Sequence, residues 1–319
     1  MIYNDSQKKA VMHTAGPMMV LAGPGSGKTA VITGRTCQLT ASGISASRIL
    51  VVTFTRAAAK EMKERYLKAA GKASTQVTFG TFHGVFYAIL RHTYRMSGNN
   101  ILSEEEKKRL MRELVNHYAR DLEEEDLEEN LAREISTVKN NQIPLEHYYS
   151  ACMPQEKFRE IYEAYEKWRK ENKKLDFDDL MVQCKRLFLE RPEVLCAWQQ
   201  KFQYILIDEF QDISPVQYEI VRMLALPENN LFIVGDDDQS IYQFRGAKPE
   251  IMLNFPKDYP GAAQVVLDKN YRSTEFIVKR SQCLIHHNKK RYEKAISTDN
   301  EKGAPVAIRG YKNPREEMR

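Results

Sequence analysis

The residues that most constrain this chain run from Ala22 to Thr29, AGPGSGKT, and they follow directly on the apolar residues 18–21, MMVL. An apolar run that ends in a glycine-rich turn and continues into helix-forming residues predicts a buried strand, a loop and a helix N-terminus. Glycines allow backbone N–H groups to curl around phosphate oxygens, and the helix adds the positive end of its dipole. The segment is therefore interpreted as a nucleotide phosphate-binding loop.

Two residues of this loop have expected roles of their own. Lys28 is expected to reach the β- and γ-phosphates of the nucleotide, and the Thr29 hydroxyl is expected to hold Mg²⁺. The general loop pattern begins with glycine, and Ala22 stands at that position here. The loop residues expected to bind ATP are Ala22, Gly23, Pro24, Gly25, Ser26, Gly27, Lys28 and Thr29.

A second apolar run at residues 204–207, YILI, ends in the two carboxylates Asp208 and Glu209. An acid at the carboxyl end of a parallel strand can face a phosphate loop that follows a neighbouring strand. Asp208 is expected to hold Mg²⁺ through its water shell, and Glu209 to orient and deprotonate the attacking water. A solvated acidic turn would give the same local pattern, so this assignment depends on the phosphate loop being present.

Composition bounds the class of protein. The 319 residues suffice for two domains and part of a third, and the net charge of +5 with a pI of about 8.7 is a mild preference for a polyanionic partner. The five cysteines form no close pair, which fits neither a disulfide framework nor a zinc site and favours a reducing cytosol. The sequence shows neither a hydrophobic leader nor an apolar run of membrane-spanning length, so a cytoplasmic protein without a membrane partner is expected.

Short apolar, β-branched runs alternate with helical stretches early in the chain and return after residue 200, which predicts a parallel α/β sheet. Residues 101–173 between the two sets carry helical spacing without strand signals, and SEEE at 103–106 predicts a capping box. The simplest architecture is one α/β domain interrupted by a helical insertion. The predicted strands are residues 18–22, 49–54, 76–79, 204–208, 231–235 and 264–267, and the predicted helices are residues 28–40, 56–70 and a stretch beginning near 82.

A further region begins near residue 268, with a predicted helix at 274–288 and a predicted strand at 306–308. It is too short to bury a core of its own.

In order along the chain, these residues resemble the motifs of superfamily 1A DNA helicases of the UvrD/PcrA/Rep type. Several motifs in one order are more specific than any single motif. Besides the phosphate loop, the resemblance is carried by NDSQ at 4–7, VTFTRAA at 52–58, GTFH at 80–83, LDFDDL at 175–180, DEFQD at 208–212, VGDDDQSIYQFRGA at 234–247 and LDKNYRST at 267–274.

The resemblance implies an α/β fold: a RecA-like P-loop NTPase parallel sheet, an inserted all-helical subdomain and the truncated start of a second RecA-like domain. It divides the chain into the first motor domain at 1–100 and 174–265, the helical insertion at 101–173 and the beginning of the second motor domain at 266–319. The implied activity is ATP-dependent, 3′ to 5′ movement on single-stranded DNA and unwinding of a duplex with a 3′ tail, with ATP and Mg²⁺.

The resemblance also implies residue roles. Gln7 would pair with the adenine edge and Tyr271 would stack on adenine. Gln239 would contact the γ-phosphate or the attacking water, and its closeness in sequence to two aromatic residues suggests coupling between nucleotide and DNA. The implied catalytic residues are Glu209, Gln239, Lys28, Arg245 and Arg272, of which the last two are phosphate clamps. The implied DNA contacts are Phe54, Thr55, Arg56, Thr81, His83, Tyr242 and Phe244.

Some of these contacts have an alternative interpretation. Phe54 and Phe244 could instead pack in the core. For His83, a buried histidine with a structural hydrogen bond is as reasonable as a DNA contact.

Three residues depart from the family pattern. Ala30 stands where many members have an arginine that stacks on adenine, Phe244 where many have tryptophan, and Arg56 where many have asparagine. Ala30 suggests that the site is less selective among nucleotides, and Phe244 suggests weaker stacking on bases. Arg56 suggests that this residue contacts a DNA phosphate.

The family's later motifs have no counterpart in the sequence, so a fragment, or a chain completed by a second motor domain elsewhere, is expected. Two alternatives stay open: a nucleotide-gated DNA-binding ATPase module without unwinding, and the motor part of a helicase–nuclease subunit. Intact Lys28, Asp208, Glu209 and Gln239 argue against an inactive ATPase.

Overall fold

The computed structural model describes residues 2–122, 126–240, 247–313 and 318. Its strands form one six-stranded, all-parallel sheet in the order β3-β2-β4-β5-β1-β6. This arrangement confirms the predicted α/β fold with a RecA-like sheet. The strands are β1 (Met18–Ala22), β2 (Ile49–Thr53), β3 (Thr78–Thr81), β4 (Tyr204–Ile207), β5 (Leu231–Gly235) and β6 (Ala263–Leu267).

Several helices of the described residues begin at a side-chain cap that the sequence supplies. Ser103 and Glu106 form the predicted capping box at the start of α5, and Thr55 caps α3 by accepting a hydrogen bond from Ala58 N. The helices are α1 (Asp5–Met12), α2 (Lys28–Ala41), α3 (Arg56–Ala70), α4 (Phe82–Tyr94), α5 (Glu104–Tyr118), α6 (Leu127–Asn141), α7 (Gln155–Glu171), α8 (Phe177–Glu190), α9 (Pro192–Lys201), α10 (Pro215–Ala225), α11 (Pro249–Asp258) and α12 (Glu275–Ile285).

Strand residues alternate between two apolar cores, one on each face of the sheet. In β1, for example, Met19 and Leu21 join the core formed with α4, α8, α10 and α11, whereas Met18 and Val20 join the core formed with α1, α2 and α3. A parallel sheet covered on both faces needs near-continuous apolar strands, because both sides of each strand are buried. This requirement explains why the strands read as short, uninterrupted apolar runs.

Helices α5, α6 and α7 form the inserted bundle, with a third core that includes Leu110, Leu131, Ile135 and Phe158. The chain enters and leaves the bundle side by side, since Leu102 N donates to Leu175 O at 2.8 Å. The helical insertion expected from the sequence is therefore present.

The C-terminal region after β6 contains α12, close to the predicted helix at 274–288. The predicted strand at 306–308 is wrong: these residues form no strand, and Ile308 is 97% exposed. Within the described residues no neighbouring strand pairs with them, and an unpaired strand leaves its backbone groups unsatisfied. The expected division between residues 265 and 266 lies inside β6, which pairs with β1.

Among the described residues, no helix combines the length and apolar character needed to cross a bilayer.

Candidate nucleotide and nucleic-acid site

The loop between β1 and α2 folds as a tight glycine turn. Gly25 and Gly27 have φ angles of 66° and 89°, a left-handed conformation that is accessible to glycine at little cost. Ser26 closes the turn, because its hydroxyl donates to Gly23 O at 2.7 Å. Helix α2 then begins at Lys28, which places the helix N-terminus at the loop. This is the strand–loop–helix geometry that a phosphate-binding loop requires.

The N-terminal segment packs against this loop through Gln7. Its side-chain amide donates to Ser26 O at 2.9 Å, and its own helix start is fixed by a capping box with Asn4. Asn4 Nδ2 in turn donates to the hydroxyl of Tyr271 at 2.9 Å, and Tyr271 N donates to Gly25 O at 3.0 Å. The structure therefore brings both residues predicted at the adenine, Gln7 and Tyr271, to the phosphate loop.

Asn270, which precedes Tyr271 in the chain, also supports the phosphate loop, and sequence reasoning missed it. Its side-chain amide donates to Pro24 O at 2.6 Å, and its carbonyl oxygen accepts from the backbone N–H groups of Arg272 and Ser273. The Arg272 Cβ lies so near that a Cβ added to Gly25 would be 2.7 Å from it. Arg272 is exposed beside the loop, as its expected contact with phosphate requires.

At the carboxyl end of β4, the acids meet the loop lysine. Lys28 Nζ lies 2.6 Å from Glu209 Oε2, and the same oxygen accepts from Gln211 Nε2 at 2.9 Å. Glu209 has a φ angle of 51°, which is uncommon for a residue other than glycine and is typical of functional sites. Gln211 Oε1 accepts from Asp236 N at 3.0 Å, so this side chain joins the ends of β4 and β5.

Asp208 is buried next to this pair. Burial, together with the neighbouring Glu209 carboxylate, raises the pKa of Asp208 to about 7 despite the opposing charge of Lys28. Its Oδ1 atom makes no hydrogen bond to any described residue. A buried carboxylate oxygen without a protein partner, with the Thr29 hydroxyl lining the same cavity, is a donor set suited to a hard divalent cation.

Gln239 lies just after β5. Its side-chain amide donates to Asp236 Oδ2 at 2.6 Å, and its backbone N donates to Asp236 O at 2.9 Å. Gln239, Thr29, Asp208 and Glu209 all line one cavity of about 1730 Å³. The three predicted residues that follow in this loop, Tyr242, Phe244 and Arg245, lie outside the described residues.

The same cavity extends to the predicted DNA contacts. Phe54 is partly buried against Phe82, with ring centroids 5.2 Å apart, so it packs on the core while facing the cavity. His83 meets Phe177 edge to face at 5.5 Å; burial lowers the pKa of His83, and Asp178 opposes this shift. The predicted DNA contacts that line the cavity are Phe54, Thr55, Arg56, Thr81 and His83.

Another part of the cavity wall carries basic residues of the helical insertion that sequence reasoning missed. Arg112 lies 3.2 Å from Glu128, and Arg133 lies 3.4 Å from Glu129. The spacing of the lysines and arginines along α5 was the available signal, because residues three or four apart share a helix face. The basic residues of this wall are Lys107, Lys108, Arg112 and Arg133.

Two family models match the chain. The model of the UvrD/REP helicase N-terminal domain matches residues 3–260, and that of the UvrD-like helicase C-terminal domain matches residues 265–319. The chain belongs to the UvrD/REP helicase family. The resemblance to UvrD/PcrA/Rep-type helicases is thereby confirmed, and both matches fall where the sequence motifs lie.

Curated relatives agree with this membership. ATP-dependent DNA helicase PcrA of Leuconostoc citreum is 39% identical over 311 residues, which are 95% of this chain and 41% of the relative. YjcD of Bacillus subtilis, which also carries a DNA helicase name, is 43% identical over 300 residues, 92% of this chain and 39% of the relative. PcrA of Staphylococcus aureus strain Mu50 is 36% identical over 314 residues, 95% of this chain and 42% of the relative. The chain thus spans about two fifths of the length of these helicases.

Proposed function

We propose that this chain is the nucleotide-binding part of an ATP-dependent DNA helicase, in which hydrolysis drives 3′ to 5′ movement on single-stranded DNA and opens a duplex with a 3′ tail. One observation supports it above the others. A single cavity of about 1730 Å³ is lined by Thr29, Asp208, Glu209 and Gln239 and also by those predicted DNA contacts that the structure describes. Groups suited to phosphate chemistry and groups suited to bases thus share one continuous surface.

The ion pair between Lys28 and Glu209 suggests how the hydrolytic groups divide their work. Nucleotide phosphates would take the ammonium of Lys28, because three phosphate charges attract it more strongly than one carboxylate. Glu209 would then be free to accept a proton from the attacking water, while Gln211 keeps its carboxylate oriented. Gln239 would contact the γ-phosphate or this water from the end of β5.

Thr29 and Asp208 would hold Mg²⁺, which when bound neutralises charge on the phosphates. The buried Oδ1 of Asp208, without a hydrogen bond to any described residue, supports this assignment. At the base end, Gln7 would read the adenine edge and Tyr271 would stack on the ring. Arg272 and Arg245 would clamp phosphates, since a guanidinium fork matches phosphate oxygens.

For DNA, we propose stacking of bases on Phe54 and on Tyr242 and Phe244, with phosphate or sugar contacts from Thr55, Arg56, Thr81 and His83. Base stacking on aromatic rings is worth about 1–3 kcal/mol per base and tolerates any sequence. Sequence-independent binding is what a translocating protein needs, because it must release each base and grip the next.

Unwinding is proposed for the motor as a whole, in which residues 1–100 and 174–265 form the first domain, 101–173 the helical insertion and 266–319 the beginning of the second. An arginine contributed by the rest of the second domain would typically be worth ~10³–10⁵ in rate. The 319 residues alone should therefore hydrolyse ATP slowly and separate strands poorly. We further propose that the protein acts in the cytoplasm.

Two substitutions test the nucleotide site, because one is expected to change ATP binding and the other ATP turnover. Lys28→Ala should weaken ATP binding by about 10–100-fold, since a charge-assisted hydrogen bond is worth about 1.5–3 kcal/mol. Glu209→Gln should leave ATP binding within about twofold and lower turnover by about 10²–10⁴-fold, the usual contribution of a general base. ATP affinity is measured with a fluorescent analogue and turnover by phosphate release.

Lys63→Ala is the matched control, because Lys63 is exposed on α3 and does not line the cavity. It should leave both quantities unchanged. Equal ATP affinity for the wild type and Lys28→Ala would contradict the phosphate-loop assignment.

A further inference from the structure

Residues 291–297, here called the strap, cross from the loop after β5 to the phosphate loop. The strap forms neither helix nor strand, apart from an isolated bridge between Ser297 and Lys269. Its position is therefore set by side-chain and backbone contacts with neighbouring segments, such as the hydrogen bond from Gln282 Nε2 to Ile296 O at 2.6 Å. It lies in the part of the chain matched by the C-terminal family model, whereas both loops lie in the N-terminal match.

At one end, the strap binds three consecutive carboxylates. Lys294 Nζ lies 2.6 Å from Asp236 Oδ1 and 2.8 Å from Asp238 Oδ2, and it also contacts Asp237. The Arg291 guanidinium donates to both oxygens of Asp238 at 2.8 Å. The three carboxylates are close enough to hold a metal ion, but the ammonium of Lys294 lies among them. The cluster is therefore a binding site for a lysine of the same chain.

At its other end, the strap contacts the phosphate loop. Ile296 lies against Gly23, where an added Cβ would collide with Ile296 Cδ1. Ser297 O accepts from Asn270 N at 2.7 Å, and Asn270 supports Pro24 of the loop through its side chain. One irregular segment thus touches the two loops that would surround the γ-phosphate.

The contact that matters most joins Lys294 to Gln239 through one carboxylate. Asp236 is fully buried, and its two oxygens are divided: Oδ1 accepts from Lys294 at 2.6 Å, and Oδ2 accepts from Gln239 Nε2 at 2.6 Å. Oδ1 also accepts from Asp238 N, at a longer 3.3 Å, so Lys294 is its closer partner. By holding Oδ1, Lys294 restrains rotation of the carboxylate, and Oδ2 in turn holds the Gln239 amide. Removing the ammonium would leave the buried carboxylates of Asp236 and Asp237 without their ion-pair partner, which is costly and would be relieved by movement of Asp236.

We infer that Lys294 is a positioning residue for Gln239: it holds the amide of Gln239, through Asp236, in the orientation from which Gln239 meets the γ-phosphate or the attacking water. This inference rests on the proposed function, in which Gln239 takes part in hydrolysis. Lys294 belongs to the residues matched by the C-terminal domain model, whereas Gln239 belongs to those matched by the N-terminal domain model. The inference therefore adds a residue of the C-terminal match to the hydrolytic site. It also gives a path by which movement of the C-terminal segment alters hydrolysis.

A double-mutant cycle in the 319-residue chain tests this inference. Lys294→Met removes the charge and keeps the length of the side chain. Its kcat for ATP should fall about tenfold while KM changes less than about twofold, because losing an interaction made only in the transition state lowers kcat and leaves substrate binding unchanged. In a Gln239→Ala background, Lys294→Met should change kcat by less than about twofold, since residues acting as a unit are not additive.

Arg291→Met is the matched control. Arg291 binds Asp238 but makes no hydrogen bond to Asp236 in the described residues, so a merely structural strap would lose as much from this change as from Lys294→Met. We expect its kcat to stay within about twofold of the wild type. An equal loss in Arg291→Met, or full additivity of Lys294→Met with Gln239→Ala, would overturn the inference.

Two further measurements keep the inference testable. If circular dichroism shows Lys294→Met to be unfolded, Asp236→Asn replaces it in the cycle, and the same non-additivity with Gln239→Ala is expected. If the 319 residues turn ATP over too slowly to measure, which the proposed function allows, a crystal structure of Lys294→Met decides the inference instead; the proposed function itself fails if Lys28→Ala binds ATP as tightly as the wild type. A Gln239 amide that still donates to Asp236 there would overturn it, and a displaced amide would support it.

Discussion

Two lysines of this chain are each buried among three carboxylates, and they differ in what surrounds them. Lys139 lies within 3.0 Å of Asp176, Asp179 and Glu166 at the junction of the helical insertion and α8. Lys294 has a similar charge environment after β5. Yet the partners of Lys139 lie on or next to regular helices, with Asp176 as the N-cap of α8, whereas Lys294 lies in the irregular strap.

The difference shows how the same chemistry serves two purposes. At Lys139, a further arginine and a tyrosine complete the network, since Arg169 binds Asp179 at 2.9 Å and Tyr165 donates to Asp176 at 2.6 Å. The helices on all sides are held by their own apolar cores. At Lys294, by contrast, the charge contacts act together with individual hydrogen bonds, such as Tyr292 to Leu253 O at 3.0 Å, to hold an irregular segment in place. Buried ion pairs add little net stability but are costly to break. The Lys139 network therefore fixes how the insertion packs on α8, whereas the Lys294 network fixes the position of the strap.

The largest expected effect is on stability at the insertion. Lys139→Met should lower the free energy of unfolding by about 3–5 kcal/mol, because it removes the ion-pair partner of the buried Asp176 and one of the two partners of Asp179. The chain has two tryptophans, Trp168 against the insertion core and Trp198 against the sheet core, so urea unfolding followed by fluorescence distinguishes the regions. Trp168→Phe and Trp198→Phe variants separate the two signals.

Lys60→Ala serves as its control, because Lys60 and Glu64 form an exposed pair on α3. Exposed helical pairs are worth about 0.3–0.5 kcal/mol, so a loss of that size in Lys139→Met would remove the distinction between this network and a surface pair.

An intermediate effect is expected at the strap. In Lys294→Met, amide hydrogen exchange of residues 291–297 and 237–239 should accelerate by about 10–100-fold, because local opening costs less once the charge contacts are lost. Exchange in α6 and α8 should stay unchanged, and Lys139→Met should show the reverse pattern. Equal acceleration in both regions would mean that the two lysines stabilise a single cooperative unit.

The smallest expected effect concerns pH at the insertion. Burial, with the nearby Asp176 carboxylate, raises the pKa of Asp179 to about 7, from an ordinary value of 3.8. The folded chain therefore keeps a proton that the unfolded chain releases, so this stabilisation is complete below about pH 4 and is lost as the pH rises through about 7. Between pH 5 and pH 6, the wild type should lose about 1 kcal/mol of unfolding free energy relative to Asp179→Asn.

Urea unfolding at both pH values measures this difference. Asp5→Asn, at an exposed position in the first turn of α1, should show no comparable change relative to the wild type. A wild type and an Asp179→Asn variant with parallel pH profiles would show that Asp179 stays ionised.

The sequence predicted the sheet well where strands are buried on both faces. Residues 18–22 and 231–235 were predicted with the observed bounds, because uninterrupted apolar runs next to turn residues define both ends. The run at 49–54 was one residue too long, since the ladder with β3 ends where Thr53 meets Thr81. The run at 76–79 started two residues early for the same reason: its ladder begins where Leu50 meets Thr78.

At the candidate site, the sequence identified residues that belong to a short contiguous motif next to a strand, such as Lys28 and Glu209. It did not identify Asn270, Gln211 or Lys294 as supports of those residues. Asn270 meets Pro24 across 246 residues and Lys294 meets Asp236 across 58, so no local periodicity signals either contact. Such contacts depend on tertiary packing, and the roles of the site residues remain predictions that the substitutions above address.

The edge strand β6 has a mechanical consequence. It runs parallel to β1 over five paired positions, from Met18 with Ala263 to Ala22 with Leu267, and β1 leads directly into the phosphate loop. The residues matched by the second-domain model begin within this strand. A pull on the chain beyond Leu267 therefore loads the β1–β6 ladder in shear along the strand axis, so that its hydrogen bonds resist together. Because β1 ends at Ala22, a force on β6 is transmitted through the paired strands directly to the phosphate loop at Gly23.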